Sequence, residues 1–387
     1  MNADINSIGF IFSCFPPITM GGVERYLLYL SDCLTKKGFS SIILTRYYPP
    51  LPKKEKHANY TLYRIGLSPF PKVYRRYMSG FQDFLGDHFT YSFLGFYEAI
   101  KLLEKIDIVH PQLGGEYDVF LGMKLASKLK KPLIITVHGK FGHEPEDILP
   151  SEKLLRILKQ ADFVIVNRKT SYDFLINQNI TKLIMMENPI PTYRYKKPEN
   201  LENFNKASNG KIRVLFIGRL TYRRGAHIAV HSFIQAAKKN SDIILWIIGD
   251  GPLKSPLIKF IEKEGLCKRV VFFGKQFDIR RFLWGSDIFL APSPIDNFPS
   301  LSLREAMAAG LPIIATDVGE TRDLIEHNGN GIIVPLESAK IAEAILALTS
   351  NEKLRRRLSE SARKYAEEKF DISSYCSTLL KIYRSIK

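Results

Sequence analysis

Short apolar runs alternate with amphipathic helical stretches from one end of the chain to the other. Runs such as "IGFIFSCF", "SSIILTR", "IDIVH", "PLIITVHG", "DFVIVN" and "LIMMEN" are apolar on both faces of an extended chain, as strands buried between two helical layers must be. Between the first two, Val23, Tyr26, Leu27, Leu30 and Leu34 fall on one face of a helix that Gly38 ends. Strand and helix in succession specify parallel sheets covered on both faces, so the fold class is α/β and doubly wound.

The alternation breaks once. "TYRYKKPENLENFNKASNGK" (192–211) is polar, charged and rich in Asn, and reads as a linker, with its bounds set at 193–211. Beyond it the pattern restarts with "IRVLFIGR", "DIILWIIGDG", "VVFFG", "DIFLAPS", "PIIATD" and "GIIVP". A chain of 387 residues is too long for one ordinary core, and at 45% hydrophobic it fills two. The expected domains are 1–192 and 212–370, both Rossmann-like, with a final helix over 371–387 that crosses back to the first. Ligands of such sheets sit at the carboxyl ends of the strands, and two such domains facing each other enclose a cleft.

Lys and Arg number 56 against 39 Asp and Glu, a net charge of +17, which implies attraction to something anionic. The excess gathers at Lys53, Lys54, Lys56, Lys72, Arg75 and Arg76, and again at Lys124, Lys128, Lys130 and Lys131. Such runs are solvated faces in the plainest reading. In "FPKVYRRYMSGFQDFLG" (70–86), however, aromatics interleave with the basic residues as they do in interfacial membrane segments, so an anionic membrane surface is an expected partner. Nucleic acid is not expected: the chain has no zinc-finger spacing, no aromatic RNA-binding motif and no short basic recognition unit. Cys14, Cys33, Cys267 and Cys376 lie far apart with no CxxC pair, so neither a zinc knuckle nor a disulfide framework is suggested. No apolar run approaches the length of a membrane span and the N-terminus has no signal-like segment, so a cytoplasmic location is expected.

Several residues stand where this architecture puts its ligands. The strand "VLFIGRL" ends in Gly218 and Arg219, and Arg224 and Gly225 precede the next helix, so both guanidiniums lie by a helix N-terminus that already favours an anion. Gly21 and Gly22 open a helix after the first strand, where backbone amides can approach a phosphate. Gly249 stands in "GDGP", a sharp turn at a strand end, and His138 ends "PLIITVHG". Each has a structural reading beside the functional one: solvated loop, turn, core histidine. In "DNFPSLSLREAMAAG" (296–310), Ser302 and Glu305 have the spacing of a capping box, which makes Glu305 a helix cap.

Taken together and in order, "GGVERYLLYLSDCLTKKG", "ITVHGK", "ENPI", "VLFIGRLTYRRG", "IIGDGPL", "VVFFGK", "DIFLAPS", "REAMAAGLPIIATDVGETRDLI" and "NGNGIIVP" resemble the retaining glycosyltransferases of family 4, which have the GT-B fold. The resemblance implies a sugar nucleotide held mainly by the second domain and a glycan or lipid-linked acceptor met by the first. It puts Arg219 and Arg224 on the diphosphate, backbone around Gly274 and Lys275 at the base, His138 near the transferred sugar and Gly22 toward phosphate and sugar. It makes Glu305 the ligand of the ribose hydroxyls, a role compatible with a cap because a carboxylate has several acceptor sites. The family pairs that glutamate with one eight positions earlier, where this chain has Asn297. Either Asn297 contacts the donor sugar as a neutral group, or a one-residue bulge lets Asp296 take the place. A protein that binds the donor without turning it over is the alternative reading. No D-x-D pair is present, so no metal or other cofactor is expected and the arginines and helix N-termini would meet the charge on the departing diphosphate.

Overall fold

The computed structural model describes residues 5–18, 21–66, 91–141, 149–198, 210–296 and 300–386. The chain divides into two compact units, one made of 1–189 together with 372–387, the other of 190–371.

In the first unit the strands are β1 (Ser7–Ile11), β2 (Ser40–Arg46), β3 (Lys54–Lys56), β4 (Thr61–Ile65), β5 (Ile108–Leu113), β6 (Ile134–Val137), β7 (Phe163–Val166) and β8 (Leu183–Met185), in the order β3-β4-β2-β1-β5-β6-β7-β8. All pairings are parallel except that of β3 with β4. The apolar runs alternate between two cores, as the two-residue period of a strand requires. Ile134 and Ile165 point to the side of helices Gly22–Lys36 and Ile372–Ser385, while Ile135, Val137, Val164 and Val166 point to that of Glu116–Leu129 and Glu152–Gln160. The last helix is thus built into the first unit's core through Tyr375, Cys376, Leu379 and Tyr383. Of the basic residues marked in the sequence, Lys54 and Lys56 stand on β3, an edge strand whose charge discourages pairing with another chain, and Lys54 lies over the Tyr63 ring. The stretch 70–86 lies outside the described residues.

In the second unit β9 (Ile212–Ile217), β10 (Ile243–Ile248), β11 (Val270–Phe272), β12 (Ile288–Ala291), β13 (Ile313–Thr316) and β14 (Gly331–Val334) form a parallel sheet in the order β11-β10-β9-β12-β13-β14. The order reverses between β9 and β12, and the loops that leave strands at such a reversal are where open α/β sheets commonly receive a ligand. The corresponding reversal in the first unit lies between β1 and β5. Within the second unit the chain's entry and exit run side by side: the Ile190 N–H donates to the Phe370 carbonyl at 2.8 Å and the Thr192 hydroxyl to the Asp371 carboxylate at 2.9 Å. That pairing carries the unit's start to Ile190, ahead of the stretch read as a linker.

Candidate active site

Three of the glycines singled out in the sequence meet at the carboxyl edge of the second sheet. Ile217 and Ile248 are in register, so Gly218 and Gly249 follow side by side. The Gly218 N–H donates to the Ile248 carbonyl at 3.0 Å and the Gly249 N–H to the Gly274 carbonyl at 2.8 Å, which ties the exits of β9, β10 and β11 together. Gly249 has φ of 137°, and Gly274 has φ of 66° with no atom within 4 Å of where a β-carbon would stand. Backbone is therefore bare along this edge, as close approach of a flat ligand requires. Lys275 is exposed, with its ammonium 5.5 Å from the centre of the Phe277 ring.

The loop leaving β9 carries Arg219, Arg223 and Arg224 to Gly225, which caps helix Ala226–Lys239 at φ of 70°. A β-carbon at Gly225 would stand 1.8 Å from the Pro292 carbonyl oxygen, so only glycine lets this loop lie against the one leaving β12. The helix has no side-chain cap and no acidic residue in its first turn, so its free N–H groups and dipole are uncompensated. Arg219 and Arg224 are both exposed. Although solvent reaches its outer side, Arg224 has its pKa lowered from the ordinary arginine value, first by partial burial and then by the neighbouring Arg223 and Arg219 cations. Cations crowded at a helix N-terminus are the chemistry that suits an anion.

On the far side of the reversal, Asp296 packs over Gly319: a β-carbon there would stand 2.3 Å from the Asp296 carboxyl carbon. Thr316 at the end of β13 donates its hydroxyl to the Ser293 carbonyl at 2.6 Å, which fixes the loop that presents Asp296. Asn297 lies outside the described residues.

The capping box does not form. Helix Leu301–Ala308 begins one residue before Ser302, with Ser300 as its N-cap and no side-chain hydrogen bond to the cap. Ser302 therefore sits inside the first turn, and Glu305 is too far along the helix to reach back. The expected stop is present: Gly310 has φ of 73°, its N–H donates to the Met307 carbonyl, and the Leu311 N–H donates to that of Ala306. Glu305 has no exposed surface, and its Oε1 accepts a hydrogen bond of 2.6 Å from the hydroxyl of Tyr195. Tyr195 belongs to the stretch read as linker. It ends a short 3-10 turn, Thr192–Tyr195, and is itself buried. Sequence reasoning missed it, because nothing in "TYRYKK" distinguishes a buried tyrosine from its exposed neighbour Tyr193.

In the first unit Gly21 is the N-cap of helix Gly22–Lys36 and Gly22 has open space on its α-carbon. The buried carboxylate of Glu24 folds back toward the cap, 2.9 Å from where a Gly21 β-carbon would stand, so this N-terminus already has an acid beside it. His138 follows β6. Its Nε2 lies 2.8 Å from Gln112 Oε1, its Nδ1 3.4 Å from Asn167 Nδ2, and its ring meets Tyr26 edge-on at 5.1 Å. Gln112 Oε1 can only accept and Asn167 Nδ2 can only donate, which selects the neutral Nε2–H tautomer for these assigned amide orientations. Burial agrees, pulling the His138 pKa down to about 3. His110 beside it, between the Tyr383 and Thr136 hydroxyls at 2.7 Å each, is likewise pulled to about 3 by burial and then by His138. Both rings are neutral at pH 7, so His138 offers polarity and shape rather than charge.

The family described as "Glycosyl transferases group 1" matches residues 198–365, and that described as "Glycosyltransferase Family 4" matches residues 20–194. N-acetyl-alpha-D-glucosaminyl L-malate synthase of Bacillus anthracis is 31% identical over 304 residues, 73% of this chain and 76% of its own length. 2-Deoxystreptamine N-acetyl-D-glucosaminyltransferase of Niallia circulans is 25% identical over 389 residues, covering 95% of this chain and 98% of that protein. Among solved structures, Anabaena HepE in complex with UDP and glucose superposes with a TM-score of 0.75 at 18% identity, over 98% of this chain and 100% of that one. Sucrose-phosphate synthase from Thermosynechococcus elongatus gives 0.78 at 20% identity, over 98% and 99%. At such identities the likeness between the structures is one of fold.

Proposed function

The chain belongs to the family 4 glycosyltransferases, and on that premise we propose that it moves a sugar from a nucleoside diphosphate sugar to a glycan or lipid-linked acceptor, with retention of anomeric configuration and without a metal ion. The observation that carries this reading is the arginine cluster on the loop after β9, set at an uncapped helix N-terminus beside the bare backbone of Gly218, Gly249 and Gly274. Arg219 and Arg224 hold the diphosphate and stabilise the charge that builds on it as the bond to the sugar breaks. Fixed donors aimed at developing charge are the kind of contribution that dominates many rate enhancements. Arginine suits the task because its fork can take two phosphate oxygens at once.

The nucleoside then lies along the glycine edge toward Gly274 and Lys275, and Glu305 takes the ribose hydroxyls once the side chains that cover it part. Asp296 or Asn297 meets the donor sugar, and the geometry at Gly319 supports Asp296. His138, held neutral, and the amides after Gly22 serve the transferred sugar from the first unit. The sequence offers no dedicated base, so the leaving phosphate accepts the acceptor's proton.

The acceptor is proposed to be met at an anionic membrane surface in the cytoplasm. Besides the net charge of +17, support comes from a groove on the first unit where Phe93 and Tyr97 line up with Lys124 and Lys128; Phe93 and Tyr97 are exposed. Among the described residues no helix is long and apolar enough to cross a membrane.

The test is a thermal-shift and calorimetric screen of the purified chain against UDP-, GDP-, ADP- and CMP-sugars, with and without Arg219→Ala. A donor that raises the melting temperature of the wild type and not of the folded variant supports the site; no shift with any of them refutes it. Sedimentation with phosphatidylglycerol vesicles at low and high salt tests the membrane separately.

A further inference from the structure

We infer that Tyr195 is a positioning residue for Glu305, holding by its phenol the carboxylate that recognises ribose. The inference rests on the reading of Glu305 as the ribose ligand and adds to it a residue outside every motif that carries that reading.

The contact is short and shielded. Tyr195 Oη donates to Glu305 Oε1 at 2.6 Å, a distance characteristic of a hydroxyl bound to a charged oxygen, and the two residues are 2% and 0% exposed. A carboxylate so placed needs a donor, since burying it without one is costly. Tyr195 is in turn fixed at its other end. Its carbonyl accepts the indole N–H of Trp284 at 2.8 Å, and the Arg194 N–H closes the turn onto the Pro191 carbonyl at 2.8 Å. The phenol is therefore clamped between a backbone anchor and the carboxylate, whereas a glutamate on its own has three side-chain torsions to lose.

A carboxylate accepts about four hydrogen bonds, so bonding to the phenol does not by itself bar it from a vicinal diol. Because Glu305 has no exposed surface, diol binding has to come with a local opening. Through that opening Tyr195 keeps the carboxylate plane in register with the helix that carries it. A phenol of merely structural importance would change stability alone; a positioning phenol changes how well the site tells ribose from deoxyribose.

The full chain is titrated calorimetrically with UDP, ADP and GDP and with the 2′-deoxy form of each. The wild type is expected to bind one ribonucleotide about tenfold or more tighter than its deoxy counterpart, the loss expected for a hydrogen bond to a charged group. Glu305→Gln and Tyr195→Phe should both bring that ratio close to one. A ratio that collapses in Glu305→Gln and persists in Tyr195→Phe overturns the role of Tyr195 and leaves the ribose reading intact. A wild type that binds none of them, or does not discriminate, overturns the ribose reading and this inference with it. Should Tyr195→Phe fail to fold, Trp284→Phe, which frees the Tyr195 carbonyl and keeps the phenol, is read the same way: a reduced ratio supports the inference and an unchanged one overturns it.

Discussion

Gly249 and Gly218 meet main chain to main chain: a β-carbon on Gly249 would stand 1.9 Å from the Gly218 carbonyl oxygen. The obstacle is backbone and cannot swing aside, and the φ of 137° at Gly249 is closed to other residues. Gly249→Ala should therefore destabilise the second unit by about 2–4 kcal/mol. Gly274→Ala, with φ of 66° but open space around it, should cost only about 1 kcal/mol. Urea unfolding of the two variants side by side checks the ranking, and equal losses would contradict it.

If Arg219 and Arg224 hold the diphosphate as proposed, Arg219→Ala and Arg224→Ala should each lower kcat/KM about a hundredfold or more, because each removes a donor aimed at the leaving group. Their melting temperatures should match the wild type or exceed it slightly, since both side chains are exposed and crowded by like charge. Arg224→Lys keeps the charge without the fork and should fall between. Steady-state kinetics with the donor identified by the binding screen decides this.

Stability should fall on mild acidification. His110 and His138 take up a proton near pH 6.5 when unfolded and only near 3 when folded, so between those values the unfolded state holds more protons. Each histidine then removes about 1.4 kcal/mol per pH unit as the pH drops. Asp118 acts in the opposite sense, because burial raises its carboxyl from 3.8 to about 7 and the folded state holds the extra proton. Over about pH 4 to 6.5 the balance of the three is the slope of one histidine. Asp118→Asn should steepen the acid loss and His110→Asn should flatten it, as read from urea unfolding at a series of pH values.

Removing residues 372–387 should unfold the first unit. Tyr375 shares a 2.8 Å hydrogen bond with Tyr26, Tyr383 one of 2.7 Å with His110, and Cys376 and Leu379 have no exposed surface. Tyr383→Phe alone should cost about 1–3 kcal/mol, since it strands a buried ring nitrogen. Hydrogen exchange localises the effect: faster exchange in β1 and β5, with β9 and β10 unchanged, is the expected pattern.

What the sequence made legible was whatever depended on local pattern. Strands buried on both faces, such as Ile243–Ile248, announce themselves by unbroken apolar runs, and Gly310 marks the end of its helix. The edge of the first sheet did not. Lys54–Lys56 is charged because it borders solvent, and Thr61–Ile65 mixes polar with apolar positions, so neither resembles a buried strand. Ser302 and Glu305 have a capping-box spacing, but the helix starts one residue too early for it. Tyr195 and Gln112 were invisible for another reason: each matters through a partner 110 or 26 residues away, and no local pattern encodes a long-range contact.

The helix Ile372–Ser385 also bears on how the protein is made. A chain synthesised from its N-terminus offers the first unit all of its described strands by residue 189, yet withholds the helix that closes one of its cores until residues 372–385 have been added. The second unit is contiguous and can fold as soon as it emerges, whereas closing the first has to draw together segments separated by the whole of the second, at the entropic cost of a long loop. On the ribosome the order of completion is then the reverse of the order of synthesis, and the apolar face awaiting Tyr375 and Tyr383 is what a chaperone would meet in the interval.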